Sequence, residues 1–172
     1  MKRDLSKIKY IVMDVDGTMT DAGIYYDDNG NELKKFYTRD AAGFFAANTA
    51  GIHIVVLTGR ECGAVLRRMQ DMHVEFIFQN IKNKKEFLDD FMSKHNILKE
   101  EIAYVGDDLN DLAAMYSAGF VACPNDAVDE IIEYADYIAE SNGGHGAIRD
   151  VVKYILSERN EWESTLKRVY GY

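Results

Sequence analysis

Short apolar runs alternate along this chain with stretches of helical period, and that alternation constrains the fold more than any other feature. The runs are Ile8 to Met13, Ile52 to Leu57, Phe76 to Phe78, Ile102 to Val105 and Gly119 to Cys123. The helical stretches are Ala41 to Ala50, Glu61 to Met72, Asn83 to His95, Leu109 to Ala118 and Asp126 to Tyr134. Continuous apolar strands separated by helices of about 10–15 residues predict βαβ units and a parallel sheet buried on both faces. Right-handed crossovers carry every strand C-terminus to one edge, where open α/β sheets hold their ligands. With 172 residues, no internal repeat and no break in composition, residues 1–172 read as a single α/β domain, a doubly wound parallel sheet.

Composition narrows the function classes. The net charge of -9, from 20 basic and 29 acidic residues, repels phosphate backbones and anionic lipid, so neither nucleic acid nor a membrane is expected as a partner. The two cysteines, Cys62 and Cys123, form no CxxC, which excludes a disulfide framework and a thiolate zinc site and points to a reducing compartment. The first apolar run stops at Asp14, short of the about 7–15 apolar residues of a secretory signal. No run approaches the roughly 20 of a membrane span. A cytoplasmic protein is expected.

One segment, Gly23 to Tyr37, breaks the alternation. It reads GIYYDDNGNELKKFY, two aromatic-rich runs around Asn29-Gly30. Asn-Gly predicts a hairpin with a type I′ turn, both central residues at positive φ. Ile24, Tyr25, Tyr26, Leu33, Phe36 and Tyr37 place apolar groups on both faces. An isolated hairpin is marginal in water, so this one must pack on something. Its own domain would serve, but two apolar faces favour a contact between subunits.

The chemistry is concentrated at two predicted strand ends. Asp14-Val15-Asp16-Gly17-Thr18 follows the first run, and Gly106-Asp107-Asp108-Leu109-Asn110-Asp111 follows the fourth. Either cluster alone reads as an N-cap and turn. If the two strands are neighbours, four or five carboxylates converge on one edge, which is tolerable only around a cation, and an all-oxygen set favours Mg²⁺. Thr58 and Gly59 end the second run with a hydroxyl and a pliable backbone, though a lone Thr-Gly is an ordinary helix start. A lysine opening the following helix would add positive charge. Spacing does not choose among Lys82, Lys84 and Lys85, and each has a surface role as its alternative.

In this order DxDGT, a strand-ending Thr, a Lys and GDDxND resemble the haloacid dehalogenase superfamily of phosphotransferases, over essentially the whole chain. The resemblance implies a Rossmann-like haloacid dehalogenase fold, with Asp14 as nucleophile and Asp16 as general acid and base. Mg²⁺ would be bound by Asp14, the Asp16 carbonyl and Asp107, with Asp108 and Asp111 behind them. Thr58 and Lys84 would hold the phosphoryl group, and the N–H groups around Gly17 and Thr18 would face its oxygens. Crowding by other carboxylates would raise the pKa of Asp16.

Many members carry an inserted cap domain. Here Thr20 to Asp40 has room only for the hairpin, and Arg60 to Lys84 only for a helix and a strand. The segments TDAGIYYDDNGNELKKFYTRDAAGF, LTGRECGAVLRRM and SNGGHGAIRDV resemble the capless 3-deoxy-D-manno-octulosonate 8-phosphate phosphatases. That family implies a sugar acid phosphate substrate, lipopolysaccharide biosynthesis, and a homotetramer whose hairpins meet at the centre while neighbouring subunits cover each site. Asp40-Ala41 departs from the family's usual Asp-Gly. A related group acts on nine-carbon 2-keto-3-deoxy sugar acid 9-phosphates, and the shared motifs do not separate the two.

Further residues divide between function and structure. Arg60, beside Gly59, is placed to meet a substrate carboxylate or phosphate, with a helix-start salt bridge as its alternative. Arg68 reads as a surface ion pair. Gly143 to Gly146 is either an anion-facing helix start or a turn with His145 solvated. The stretch from Trp162 to Tyr172, within a tail of about residues 158–172, is too polar for core and reads as a frayed helix or a tail reaching a neighbouring site. His53, Met69, Met72 and Met115 read as structural. Three rival functions stand beside the small-molecule phosphatase. A capless phosphatase of macromolecules is opposed by the acidic charge and the hairpin. A receiver domain is opposed by the second Asp of DxD, and a non-catalytic scaffold by the intact motifs.

Overall fold

The structure is a computed structural model and describes residues 3–172. Its main sheet contains β1 (Tyr10–Met13), β4 (His53–Leu57), β5 (Phe76–Phe78), β6 (Ile102–Val105), β7 (Phe120–Cys123) and β8 (Tyr137–Ile138), all parallel, in the order β5-β4-β1-β6-β7-β8. The apolar runs are continuous because both faces of these strands are covered. Ile11, Met13, Ala103 and Val105 point into one core and Val12, Ile102 and Tyr104 into the other, the period of two expected of a strand. The first core lies under α1 (Ala41–Thr49), α2 (Gly63–Asp71), α6 (Ala147–Glu158) and α7 (Trp162–Tyr170). The second lies under α3 (Lys84–His95), α4 (Leu109–Met115) and α5 (Asp129–Tyr134).

The chain builds outward from β1 to β4 and β5, then returns to place β6 on the other side of β1. The strand order therefore reverses between β1 and β6, the position where such sheets open a crevice for ligand. DxDGT leaves β1 and GDDxND leaves β6, so both acidic motifs flank that reversal.

The five predicted strands and five predicted helices are present, each helix trimmed by a residue or more at an end. The two-residue β8 carries too little pattern to be read from sequence. β2 (Tyr25–Tyr26) and β3 (Glu32–Leu33) form the hairpin, with Tyr25 opposite Leu33 and Tyr26 opposite Glu32. Its turn is not the two-residue type I′. Gly30 alone takes positive φ, at 79°, while the Gly30 N–H donates to the Asp27 carbonyl and the Asp27 N–H to Asn31. This is a three-residue loop with a glycine bulge. The Asp27 carboxylate selects it by accepting the N–H groups of Asn29 and Asn31 at 2.9 and 2.8 Å. Between β1 and α1 the described residues hold this hairpin and a 3-10 turn, with no cap domain.

The C-terminal stretch is neither tail nor frayed. α7 docks on α1, burying Trp162 and Thr165, because its apolar residues share one stripe that composition alone conceals.

Candidate active site

Asp14 is fixed where β1 meets β6: its N–H donates to the Val105 carbonyl at 3.0 Å. The following turn closes on Val15, whose carbonyl accepts the N–H groups of Thr18, Met19 and Thr20. Gly17 sits in this turn at φ 89°, and a Cβ there would fall 1.9 Å from Asp107 Oδ2. Only glycine lets the two motifs approach so closely. The Thr18 hydroxyl donates to Asp107 Oδ1 at 2.8 Å, joining the motifs directly.

From the other side, Asp108 caps α4 by accepting the Leu109 N–H and is itself exposed. Asp111, fully buried, accepts the Tyr104 hydroxyl at 2.7 Å and the Asp107 N–H at 3.3 Å. Lys84 opens α3 and reaches under the sheet edge, its Nζ lying 2.8 Å from Asp14 Oδ1 and 2.7 Å from Asp111 Oδ1. The other two lysines are spent elsewhere, Lys82 on the Gly59 carbonyl and Lys85 on Asp89. Burial therefore makes the choice that spacing left open.

These groups shift one another. Burial, reinforced by the Asp111 charge and opposed by Lys84, lifts Asp14 to about 7. Asp107 is lifted to about 7, again by burial first, with the Thr18 hydroxyl opposing. Burial alone would lower Lys84, but the Asp111 and Asp14 carboxylates outweigh it and hold the ammonium above its ordinary value. Carboxylate oxygens of Asp14, Asp107 and Asp111 lie within 4.8 Å of one another. Asp14 Oδ1 is buried, and the ammonium it meets at 2.8 Å is shared with Asp111. A buried oxygen that shares its ammonium with a second carboxylate, two carboxyls raised by burial and then by acidic neighbours, and an all-oxygen donor set fit a hard divalent cation such as Mg²⁺.

Thr58 is buried at the end of β4, anchored by its N–H to the Phe78 carbonyl; its hydroxyl accepts the Arg60 N–H at 3.4 Å and donates to no described group. The N–H groups of Gly17 and Thr18, expected to face a phosphoryl group, are directed into their own turn, to Thr20 Oγ1 and the Val15 carbonyl. Those of Asp16 and Gly59 have no acceptor among the described residues.

Asp16 lies outside the carboxylate group, contrary to the expected crowding. Its partner is the Lys34 ammonium, which also meets Glu32 at 2.6 Å. Glu32 in turn binds Arg60 through both carboxylate oxygens, at 2.6 and 3.1 Å, and Arg60 reaches the Tyr26 hydroxyl at 3.3 Å. Hydrogen bonding from Arg60 first, then from Lys34, holds the Glu32 carboxyl down at about 2. Arg60 thus makes a salt bridge to the hairpin. Lys34, Glu32 and Tyr104 were not singled out from sequence: a hairpin lysine reads as surface, and a tyrosine in an apolar strand reads as core.

The remaining candidates resolve structurally. Gly143 donates to Asp126, and the Gly144 N–H approaches the Thr18 carbonyl at 3.3 Å, so this turn buttresses the loop that follows β1; His145 is exposed beside it. Arg68, expected in an ion pair, forms none among the described residues. His53 is exposed at the start of β4, stacked on Tyr10, while Met69, Met72 and Met115 are core.

A haloacid dehalogenase-like hydrolase profile matches residues 66–151. The chain is 37% identical to the 3-deoxy-D-manno-octulosonate 8-phosphate phosphatase KdsC of Escherichia coli K12 over 87% of its length and 79% of the relative's. It is 32% identical to the Haemophilus influenzae enzyme of the same name, over 94% and 89%. Among solved structures, it superposes with a TM-score of 0.91 and 34% identity on the Moraxella catarrhalis 3-deoxy-D-manno-octulosonate 8-phosphate phosphatase in complex with magnesium, phosphate and KDO, covering 95% of this chain and 94% of that one.

Proposed function

The chain belongs to the haloacid dehalogenase-like hydrolases, and we propose that it is a Mg²⁺-dependent phosphatase of 3-deoxy-D-manno-octulosonate 8-phosphate, releasing the free sugar acid and inorganic phosphate. The observation that carries this reading is the Asp14–Lys84–Asp111–Asp107 cluster at the β1/β6 reversal, three carboxylates gathered around a single buried ammonium. Likeness to enzymes of that name supports the substrate.

Asp14, Asp107 and the Asp16 carbonyl would hold the cation, whose charge offsets the repulsion between a carboxylate nucleophile and a phosphate dianion. An Asp14 oxygen attacks phosphorus, an acyl-phosphate bond forms, and the bond from phosphorus to the sugar oxygen breaks. Asp16 gives its proton to the departing oxygen. Lys84, the Thr58 hydroxyl and the free N–H groups of Asp16 and Gly59 stabilise the equatorial oxygens as charge spreads over them. Water then attacks the phosphorus of the aspartyl phosphate, Asp16 takes back a proton, and phosphate leaves with Asp14 restored. Asp111 and Tyr104 keep Lys84 in place, and Asp108 serves α4 as its cap.

The same reading includes a cytoplasmic homotetramer joined through the hairpin, supported by the exposure of Ile24, Tyr25, Tyr26 and Leu33. Neither nucleic acid nor membrane is a partner in it, in keeping with the net charge of -9. The test is Mg²⁺-dependent phosphate release from the eight-carbon and the nine-carbon sugar acid phosphates, wild type beside Asp14→Asn. Turnover of the eight-carbon ester by wild type alone is expected. Preference for the nine-carbon ester reassigns the substrate, and hydrolysis of an aryl phosphate alone removes the sugar acid.

A further inference from the structure

We propose that Lys34 is a positioning residue for Asp16, and that Glu32 fixes Lys34 in turn, so that the base of the hairpin sets the proton-transfer carboxylate of the active site. The inference rests on the reading of Asp16 as general acid and base.

The Lys34 side chain is 1% exposed although it springs from a hairpin whose other side chains largely face solvent. Burying an ammonium is costly unless carboxylates surround it, and here two do, Asp16 and Glu32. Lys35, the next residue, shows the ordinary alternative: it pairs with Asp21 at 2.6 Å while 55% exposed. Anchoring of the hairpin does not depend on Lys34, because the Arg60–Glu32 pair and the Cys62 Sγ contact with the Glu32 carbonyl already tie β3 to the loop after β4. The Asp16 carboxylate, by contrast, has no hydrogen-bond partner among the described residues except Lys34. One contact therefore orients the group that must reach the leaving oxygen, and misplacing such a group costs rate without weakening phosphate binding.

The role predicts a split by leaving group. Protonation matters for an alkoxide and hardly at all for p-nitrophenolate. In pre-steady-state measurements, Lys34→Met is expected to slow the first half-reaction on the sugar acid phosphate about 100-fold. The p-nitrophenolate burst and KM should stay within about threefold, the limit set by an acid that this ester does not need. Lys34→Arg should recover most of the loss, and Glu32→Gln should show the same split more weakly, carrying the test if Lys34→Met fails to fold. Equal losses on both esters, or an undiminished rate on the sugar ester, would overturn the proposal. Absence of the split in Asp16→Asn would instead overturn the acid role on which it rests.

Discussion

Lys84 keeps its charge in a nearly sealed position because two carboxylates stand 2.8 and 2.7 Å away, yet three buried or half-buried acids against one ammonium leave the cluster negative. Burial first, and then that surplus charge, lifts Asp14 and Asp107 to about 7. A carboxyl raised in the folded state favours folding below its unfolded value, and that contribution is lost as pH climbs through the folded value. Without metal, the melting temperature should therefore decline between about pH 4 and pH 7, and added Mg²⁺ should restore it at the alkaline end. Metal uptake near pH 6 should expel protons, read by calorimetry in two buffers of different ionisation heat; equal heats in both would contradict the assignment. At this scale Asp14, Asp107 and Thr58 were legible, because strand-end carboxylates and hydroxyls stand out against apolar runs. Spacing offered Lys84 only as one of three lysines, with the family resemblance choosing it, and Lys34 was not legible at all. What distinguishes both is burial by distant segments, which local pattern does not carry.

At the scale of elements, the hairpin departs most from its sequence reading. Asn29-Gly30 marked the right place, but the Asp27 side chain captured two N–H groups and drew the loop out to three residues. Phe36 also proves to pack against the first core, whereas Ile24, Tyr25, Tyr26 and Leu33 are 47–62% exposed. A surface designed to weaken self-association should therefore change Tyr25, Tyr26 and Leu33 to Ser and spare Phe36. The expected result is a shift in light-scattering mass toward the 19.6 kDa chain with the core melting transition kept. An unaltered assembly would place the subunit contact elsewhere. β1, β4, β6 and β7 were readable because burial on both faces makes them continuously apolar; β8, two residues long, and the amphipathic α7 were not.

Across the whole molecule, the exposed surface of 8716 Å² matches the about 8,600 Å² expected for a folded monomer of this mass. The far C-terminal helix is part of that closure. Trp162→Ala should cost about 3–5 kcal/mol of unfolding free energy while leaving kcat of the folded enzyme unchanged, since Trp162 packs in the first core and is not among the residues assigned to the reaction. A loss of kcat without loss of stability would instead link α7 to the chemistry. The parallel sheet and its active edge were legible from the alternation of runs, but the strand order was not, because only tertiary pairing places β6 beside β1. The same order leaves β5 and β8 outermost, three and two residues long. Borders that short offer an incoming chain too few free amides to zip onto. At high concentration the sheet is thereby a poor seed for fibres, and its growth stops at the sixth strand.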